Sequence, residues 1–245
     1  MRDGVSILVR VYTPLKESLA PRPVIIMFHE GGWVVGDLSD EDSNCRMFAR
    51  DLGAVCISVD YRLAPENVWP KGVEDAYDVV RWCAATASPD SELIPGDPLQ
   101  GFVVGGASAG GNLSAVVSQM ARDDNLYPPL TGQYLCVPAL IGPDVVPDKW
   151  QAEYRSRWES KIDPWVKYTN GTTECLLSNL KPVTASPLFS PLLHPNLRDL
   201  PPAFFQLGGL DPMRDEGLIY ERVLREENAV ETRVRLLQRS CLPTC

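Results

Sequence analysis

The stretch Gly105-Gly106-Ala107-Ser108-Ala109-Gly110-Gly111-Asn112 decides the reading of this chain. It follows a short apolar run, Phe102-Val103-Val104, and precedes an apolar pattern of helical spacing beginning Leu113-Ser114-Ala115-Val116-Val117. Strand, glycine-flanked serine, helix is the setting in which Gly-x-Ser-x-Gly forms a sharp elbow rather than a chance match. Glycine is needed two residues either side of the serine, because a Cβ there would meet the neighbouring strand or helix. The turn holds the Ser108 hydroxyl at the carboxyl end of a strand, beside a helix N-terminus that favours negative charge. Taken alone, the same eight residues also fit a glycine-rich turn with an incidental serine.

Outward from the elbow, apolar strand-like runs alternate with helical patterns. Val5 to Tyr12 reads as an early strand, and Val24-Ile25-Ile26-Met27-Phe28 as a strand covered on both faces. A helix is expected after Ser39, taken as its N-cap, with Asp40, Glu41 and Asp42 in the first turn and Gly53 closing it. Ala54 to Val59 gives another strand, Val73 to Ala84 a helix, and Tyr134 to Val137 a strand. Residues 143–192, rich in Trp, Pro, Asp and Asn, break the rhythm as an insertion over the sheet, with a helix near 149–160. Ala203 to Leu207, a helix from about Arg214 to Asn228, and a last strand Thr232 to Leu237 complete the pattern. The fold class is therefore α/β, with a mostly parallel central sheet and helices on both faces. Its 245 residues suit a single domain, 1–245.

Composition narrows the function classes. With 23 Lys+Arg against 32 Asp+Glu, the net charge of −9 argues against nucleic acid or an anionic membrane surface as a partner. No apolar run approaches the ~20 residues that span a bilayer. The start, Met1-Arg2-Asp3-Gly4, lacks the apolar core of a signal peptide, so a cytoplasmic protein is expected. The seven cysteines are scattered, and no metal site is expected at Cys241 and Cys245 without a partner pair. Asn170-Gly171-Thr172 matches a glycosylation pattern that means nothing without secretion.

Two further stretches carry chemistry. His29-Glu30-Gly31-Gly32-Trp33 ends an inner strand, where open α/β sheets place their sites. Gly31 and Gly32 can offer backbone N–H donors to a developing oxyanion, beside the N–H of Ala109. Asp211, after Gly208-Gly209-Leu210, reads as a cap for the helix beyond Pro212.

Taken in order, His29 to Trp33, Asp60-Tyr61-Arg62-Leu63-Ala64-Pro65-Glu66, Gly106 to Asn112 and Asp211-Pro212-Met213-Arg214-Asp215-Glu216-Gly217 resemble the hormone-sensitive-lipase-like family of α/β-hydrolases. The similarity covers about residues 3–236. It implies an α/β-hydrolase fold, a carboxylic-ester hydrolase acting on a small-molecule ester, and no cofactor or metal. By the same resemblance Ser108 is the nucleophile, Asp211 the acid that orients the catalytic histidine, and Gly31, Gly32 and Ala109 the oxyanion donors. Arg62 and Glu66 match a structural segment, and His29 a position that supports the oxyanion loop.

The chain departs from the family in four places. Glu30 stands where the family has a glycine, and Ala107 where it has an acidic or polar residue. The chain begins at the first strand without the family's upstream helical cap, so it is expected to be truncated at both ends, with only a partial cap insertion near 143–192. The catalytic histidine expected after the last strand is absent: the sequence has two histidines, His29 and His194. Read one frame over, with permissive codons, residues 237–245 contain Glu-Val-Leu-Pro-Pro-His-Met, which resembles the family's histidine loop. A transcript sequenced across this junction distinguishes a shifted frame from an in-frame end at Cys245. The alternatives to an ester hydrolase are a receptor-like pseudo-hydrolase that binds a small ligand, and a lyase or dehydratase of the same fold.

Overall fold

The computed structural model describes residues 1–15, 20–159 and 174–237. Seven strands form one sheet: β1 Val9–Tyr12, β2 Val24–Phe28, β3 Val55–Val59, β4 Phe102–Ala107, β5 Gly132–Cys136, β6 Ala203–Gly208 and β7 Thr232–Leu237. Their spatial order is β1-β3-β2-β4-β5-β6-β7. β1 pairs antiparallel with β3, and every other pairing is parallel. The expected mostly parallel sheet is thus present, and the one antiparallel pair among the described residues lies at an edge.

Continuous apolar runs become the central strands because both faces are covered. Every residue of β2 and β3 is buried. On one face Ile26, Phe28, Ile57 and Val104 pack against α2 (Lys71–Thr86) and α3 (Ala109–Asp123). Farther along that face Leu135, Phe205 and Leu207 meet Ile219 and Tyr220 of a later helix, Arg214–Arg222. The opposite face offers Ile25, Met27 and Cys56 to Cys45 and Ala49 of α1 (Asp42–Leu52).

Several boundaries differ from expectation. β1 starts at Val9, not Val5. Ser39 does not cap α1. Glu41 occupies the N-cap position without a side-chain bond, while the Ser39 N–H donates to Asp37 Oδ1 at 2.6 Å. A turn that precedes the helix, with Asp40 N donating to Asp37 O and Asp42 N to Ser39 O, holds Ser39 outside α1. Gly53 closes the helix at φ 67°, as read. The helix expected near 149–160 is interrupted: α4 (Asp148–Gln151) is a single turn, and helix resumes only at Ser156 in α5 (Ser156–Glu159). Between them the Ser156 N–H turns to a distant carboxylate, Asp215, and the Arg155 N–H is shared between that carboxylate and Glu153 O. A further helix, α6, runs over 174–180. Helix α7 (Arg214–Arg222) passes into a π turn over Val223–Glu227. The glycosylation pattern at 170–172, the Cys241 and Cys245 pair and the re-framed tail lie outside the described residues.

Candidate active site

The elbow forms as its glycines require. Ser108 sits between β4 and α3 at φ 52°, ψ −113°. Its N–H donates to Cys136 O at 2.9 Å on the neighbouring strand, and its carbonyl accepts from Asn112 N at 3.0 Å. A Cβ on Gly110 would lie 1.9 Å from Phe28 O, and one on Gly106 2.3 Å from the same oxygen. Only glycine lets helix and strand approach this closely. A non-glycine residue at positive φ is strained, and the fully packed turn around it holds that strain.

The His29–Trp33 loop is a second tight turn. Gly31 (φ 109°), Gly32 (φ 60°) and Trp33 (φ 62°) all adopt left-handed backbone. The Gly31 carbonyl accepts from both Val34 N and Val35 N at 3.1 Å, which curls the loop back on itself. Ala109 opens α3, so helix geometry supplies its N–H with no intrahelical acceptor.

Ser108, Gly32 and Asp211 line one cavity of about 240 Å³, walled by Trp33, Ile141, Leu176, Leu177, Phe189 and Met213. Residues from six separated segments of the sequence thus converge there. Leu176 of α6 closes over the oxyanion loop: a Cβ on Gly32 would lie 2.4 Å from its Cδ1. Glu30 is exposed and is not among the residues lining the cavity, so its charge faces solvent.

Asp211 does not act as the N-cap of α7, a position Met213 holds. Its Oδ1 accepts from Met213 N at 2.7 Å, and its carbonyl accepts from Arg214 N. Burial pushes its carboxyl above the ordinary range, opposed by that N–H and by the positive charge of Arg157.

Arg157 carries no family signal in the sequence and lines the same cavity. Its Nε donates to Tyr154 Oη at 2.6 Å, and its Nη2 lies 3.3 and 3.4 Å from the two oxygens of the fully buried Glu216. The partners are 59 residues apart in sequence, which no local pattern can reveal. Burial raises the Glu216 pKa even with Arg157 and Tyr154 beside it. The cap segment is fixed from the neighbouring residue too. Asp215 Oδ2 accepts from Arg155 N at 2.7 Å and Ser156 N at 2.6 Å, and Ser156 Oγ donates to Pro212 O at 2.7 Å.

Neither histidine reaches Ser108. His29 is fully buried and stacks on Tyr61 with ring centroids 4.1 Å apart. Its Nδ1 donates to the Glu30 carbonyl at 2.6 Å, and Tyr61 Oη donates to His29 O at 2.9 Å. The ring braces the oxyanion loop. His194 bonds Asp123 Oδ2 at 3.1 Å, at the last residue of α3. Ser108 precedes the first residue, and a helix of 15 residues is about 22 Å long at 1.5 Å per residue.

The family profile described as an alpha/beta hydrolase fold matches residues 25–241. The chain belongs to the hormone-sensitive-lipase-like α/β-hydrolases. A Schizosaccharomyces pombe AB hydrolase superfamily protein is 39% identical over 245 residues, all of this chain and 70% of its own length. Carboxylesterase NlhH of Mycobacterium tuberculosis is 35% identical over 91% of this chain and 66% of its own. Carboxylic ester hydrolase LipN of the same species is 37% identical over 83% of this chain, which spans 52% of LipN. Among solved structures, vibralactone cyclase superposes at TM-score 0.88 with 34% identity, over 97% of this chain and 70% of that one. The metagenomic carboxylesterase EstE1 superposes at 0.82 with 31% identity, over 97% and 76%. No helix among the described residues is long and apolar enough to cross a membrane.

Proposed function

We propose that the protein is a carboxylic-ester hydrolase of the serine type, acting on small esters. One observation carries the reading: Ser108, strained at its elbow, opens into the same cavity as Gly32 and Asp211. In this reading Ser108 Oγ attacks the ester carbonyl, and the N–H groups of Gly31, Gly32 and Ala109 receive the negative charge that develops on oxygen. The alcohol leaves, and water then releases the acid. The carboxylesterase names of the relatives support the chemistry, and the cavity of about 240 Å³ supports the substrate size. No cofactor enters these steps. We take the chain as one domain working in the cytoplasm, which suits the unbridged Cys45, Cys56, Cys83, Cys136 and Cys175.

A serine hydroxyl needs a base to take its proton, and a histidine held by the acid supplies it in such sites. Asp211 has no histidine beside it among the described residues, and His29 and His194 are both committed elsewhere. Turnover by these 245 residues is therefore expected to fall several orders of magnitude below that of an intact triad, leaving the share that oxyanion donors and binding supply. That observation favours a second reading, a pseudo-hydrolase that retains a small neutral ligand in the same cavity.

A fluorophosphonate probe and short p-nitrophenyl esters separate the two. Labelling of Ser108 with measurable turnover, both lost in Ser108→Ala, supports the hydrolase. Hydrolysis that survives Ser108→Ala overturns the assignment of the nucleophile. Ligand binding without labelling or turnover supports the pseudo-hydrolase.

A further inference from the structure

Arg157 is the one cation among the described residues lining the Ser108 cavity, and its side chain is only 11% exposed. A guanidinium carries five N–H donors. Here Nε serves Tyr154 and Nη2 serves Glu216, and no described residue accepts from Nη1. The Glu216 contacts, at 3.3 and 3.4 Å, are longer than the 2.7–2.9 Å of a strong charge-assisted bond. The described residues therefore leave donor capacity of this cavity-lining side chain unused. In the empty site water can meet that capacity. A ligand that fills the cavity with hydrocarbon removes the water and leaves a desolvated N–H without an acceptor.

Charge decides what kind of acceptor fits. Arg157 already faces Glu216, and its field also reaches Asp211. One cation thus already serves two carboxyl groups. A third carboxylate entering from a ligand would meet repulsion and lose its own hydration. A neutral carbonyl oxygen accepts the hydrogen bond without adding charge.

The position is built rather than incidental. Tyr154 donates to Glu216 Oε2 at 3.0 Å while accepting from Arg157, and Asp215 holds the backbone of Arg155 and Ser156. The guanidinium is thus fixed from the side chain and from the main chain, which lowers the cost of ordering it on a ligand.

We propose that Arg157 is a specificity-determining residue that selects neutral ligands bearing a second carbonyl oxygen, such as keto esters, over plain aliphatic esters and over esters with a carboxylate tail. The proposal rests on the Ser108 cavity being the ligand site, as in the hydrolase reading, and does not require turnover.

The test uses three hydrolytically stable anilides of similar length on the full chain: N-(4-nitrophenyl)pentanamide, its 4-oxo derivative, and the N-(4-nitrophenyl)succinamate anion. Equilibrium affinities are measured by titration calorimetry. The 4-oxo compound is expected to bind about tenfold tighter than the pentanamide, and the succinamate no tighter than the pentanamide. In Arg157→Met the keto advantage should fall to about twofold or less. Because Arg157→Met leaves Glu216 facing an apolar group, Arg157→Lys is measured beside it; it keeps the charge but loses the planar fork, and should also shrink the advantage. Thermal unfolding reports whether each variant is folded. Equal affinity for pentanamide and 4-oxo compound, tightest binding of the succinamate, an advantage that survives in a folded Arg157 variant, or no binding by any of the three overturns the proposal. Failure of the hydrolase reading would appear separately, as absent Ser108 labelling with these binding ratios intact.

Discussion

The two sides of the cavity are built by different physics. At the elbow, backbone meets backbone: Gly106 and Gly110 let β4 and α3 close on Phe28 O, and the strain at Ser108 is held by packing. At the acid side, polar side chains bridge segments far apart in sequence. Asp215 and Glu216 of α7 grip Arg155, Ser156, Tyr154 and Arg157 of the cap segment. The elbow tolerates almost no added volume and is indifferent to pH. The acid side answers to charge. One side therefore fixes where the nucleophile sits, and the other fixes what surrounds Asp211.

Substitutions can break this contrast, and the largest effect is expected at Gly110. Gly110→Ala puts a Cβ 1.9 Å from Phe28 O, a backbone atom that cannot move without shifting β2. A loss of at least about 3 kcal/mol, or failure to fold, is expected in urea unfolding. A well-folded Gly110→Ala protein would refute the steric account of the elbow.

Next comes Asp215→Ala, which strands the buried Ser156 N–H and takes one of several acceptors from Arg155 N and Arg214, and should cost about 1–3 kcal/mol. It should also speed proteolytic cleavage within 153–159 while leaving cleavage near the elbow unaffected. Uniform loosening of both regions would show that the two sides are not independent.

The two adjacent carboxyls also predict opposite responses to pH. Burial alone would raise Asp215, but the bonds from Arg214, Arg155 and Ser156 outweigh it and hold its pKa below the ordinary value. Its stabilisation is present above its unfolded pKa of about 3.9 and is lost as pH falls through the lower folded value. Glu216 runs the other way. Its folded pKa is raised, so its contribution is most favourable at low pH and declines as pH rises through that raised value. Urea unfolding between pH 3 and pH 7 should therefore show a shallower acid loss in Asp215→Ala than in the parent. Glu216→Gln should remove the decline toward neutral pH.

The smallest expected change is Gly53→Ala. Gly53 also has positive φ, at 67°, but nothing lies within 4 Å of its missing Cβ. Only the left-handed backbone cost applies, about 1 kcal/mol. If Gly53→Ala matched Gly110→Ala, crowding would not be what distinguishes the elbow.

The amino-acid sequence by itself determined the strand and helix succession, the Ser108 elbow, the Gly31-Gly32 turn and the lack of any histidine beyond His29 and His194. These are local facts: glycine spacing and apolar periodicity act within a few residues, where sterics and propensity can be read directly. Only the tertiary structure decided that His29 is a buried brace and that His194 lies at the far end of α3. It alone split the expected 149–160 helix, moved Asp211 off the cap of α7, and set Arg157 against Glu216 in the wall of the Ser108 cavity. The helix break and the Arg157–Glu216 pair depend on partners 60 and 59 residues away, whose desolvated charges have to be satisfied wherever the chain brings them together. The elbow was legible because its physics is local, and the acid side was not because its physics is long-range.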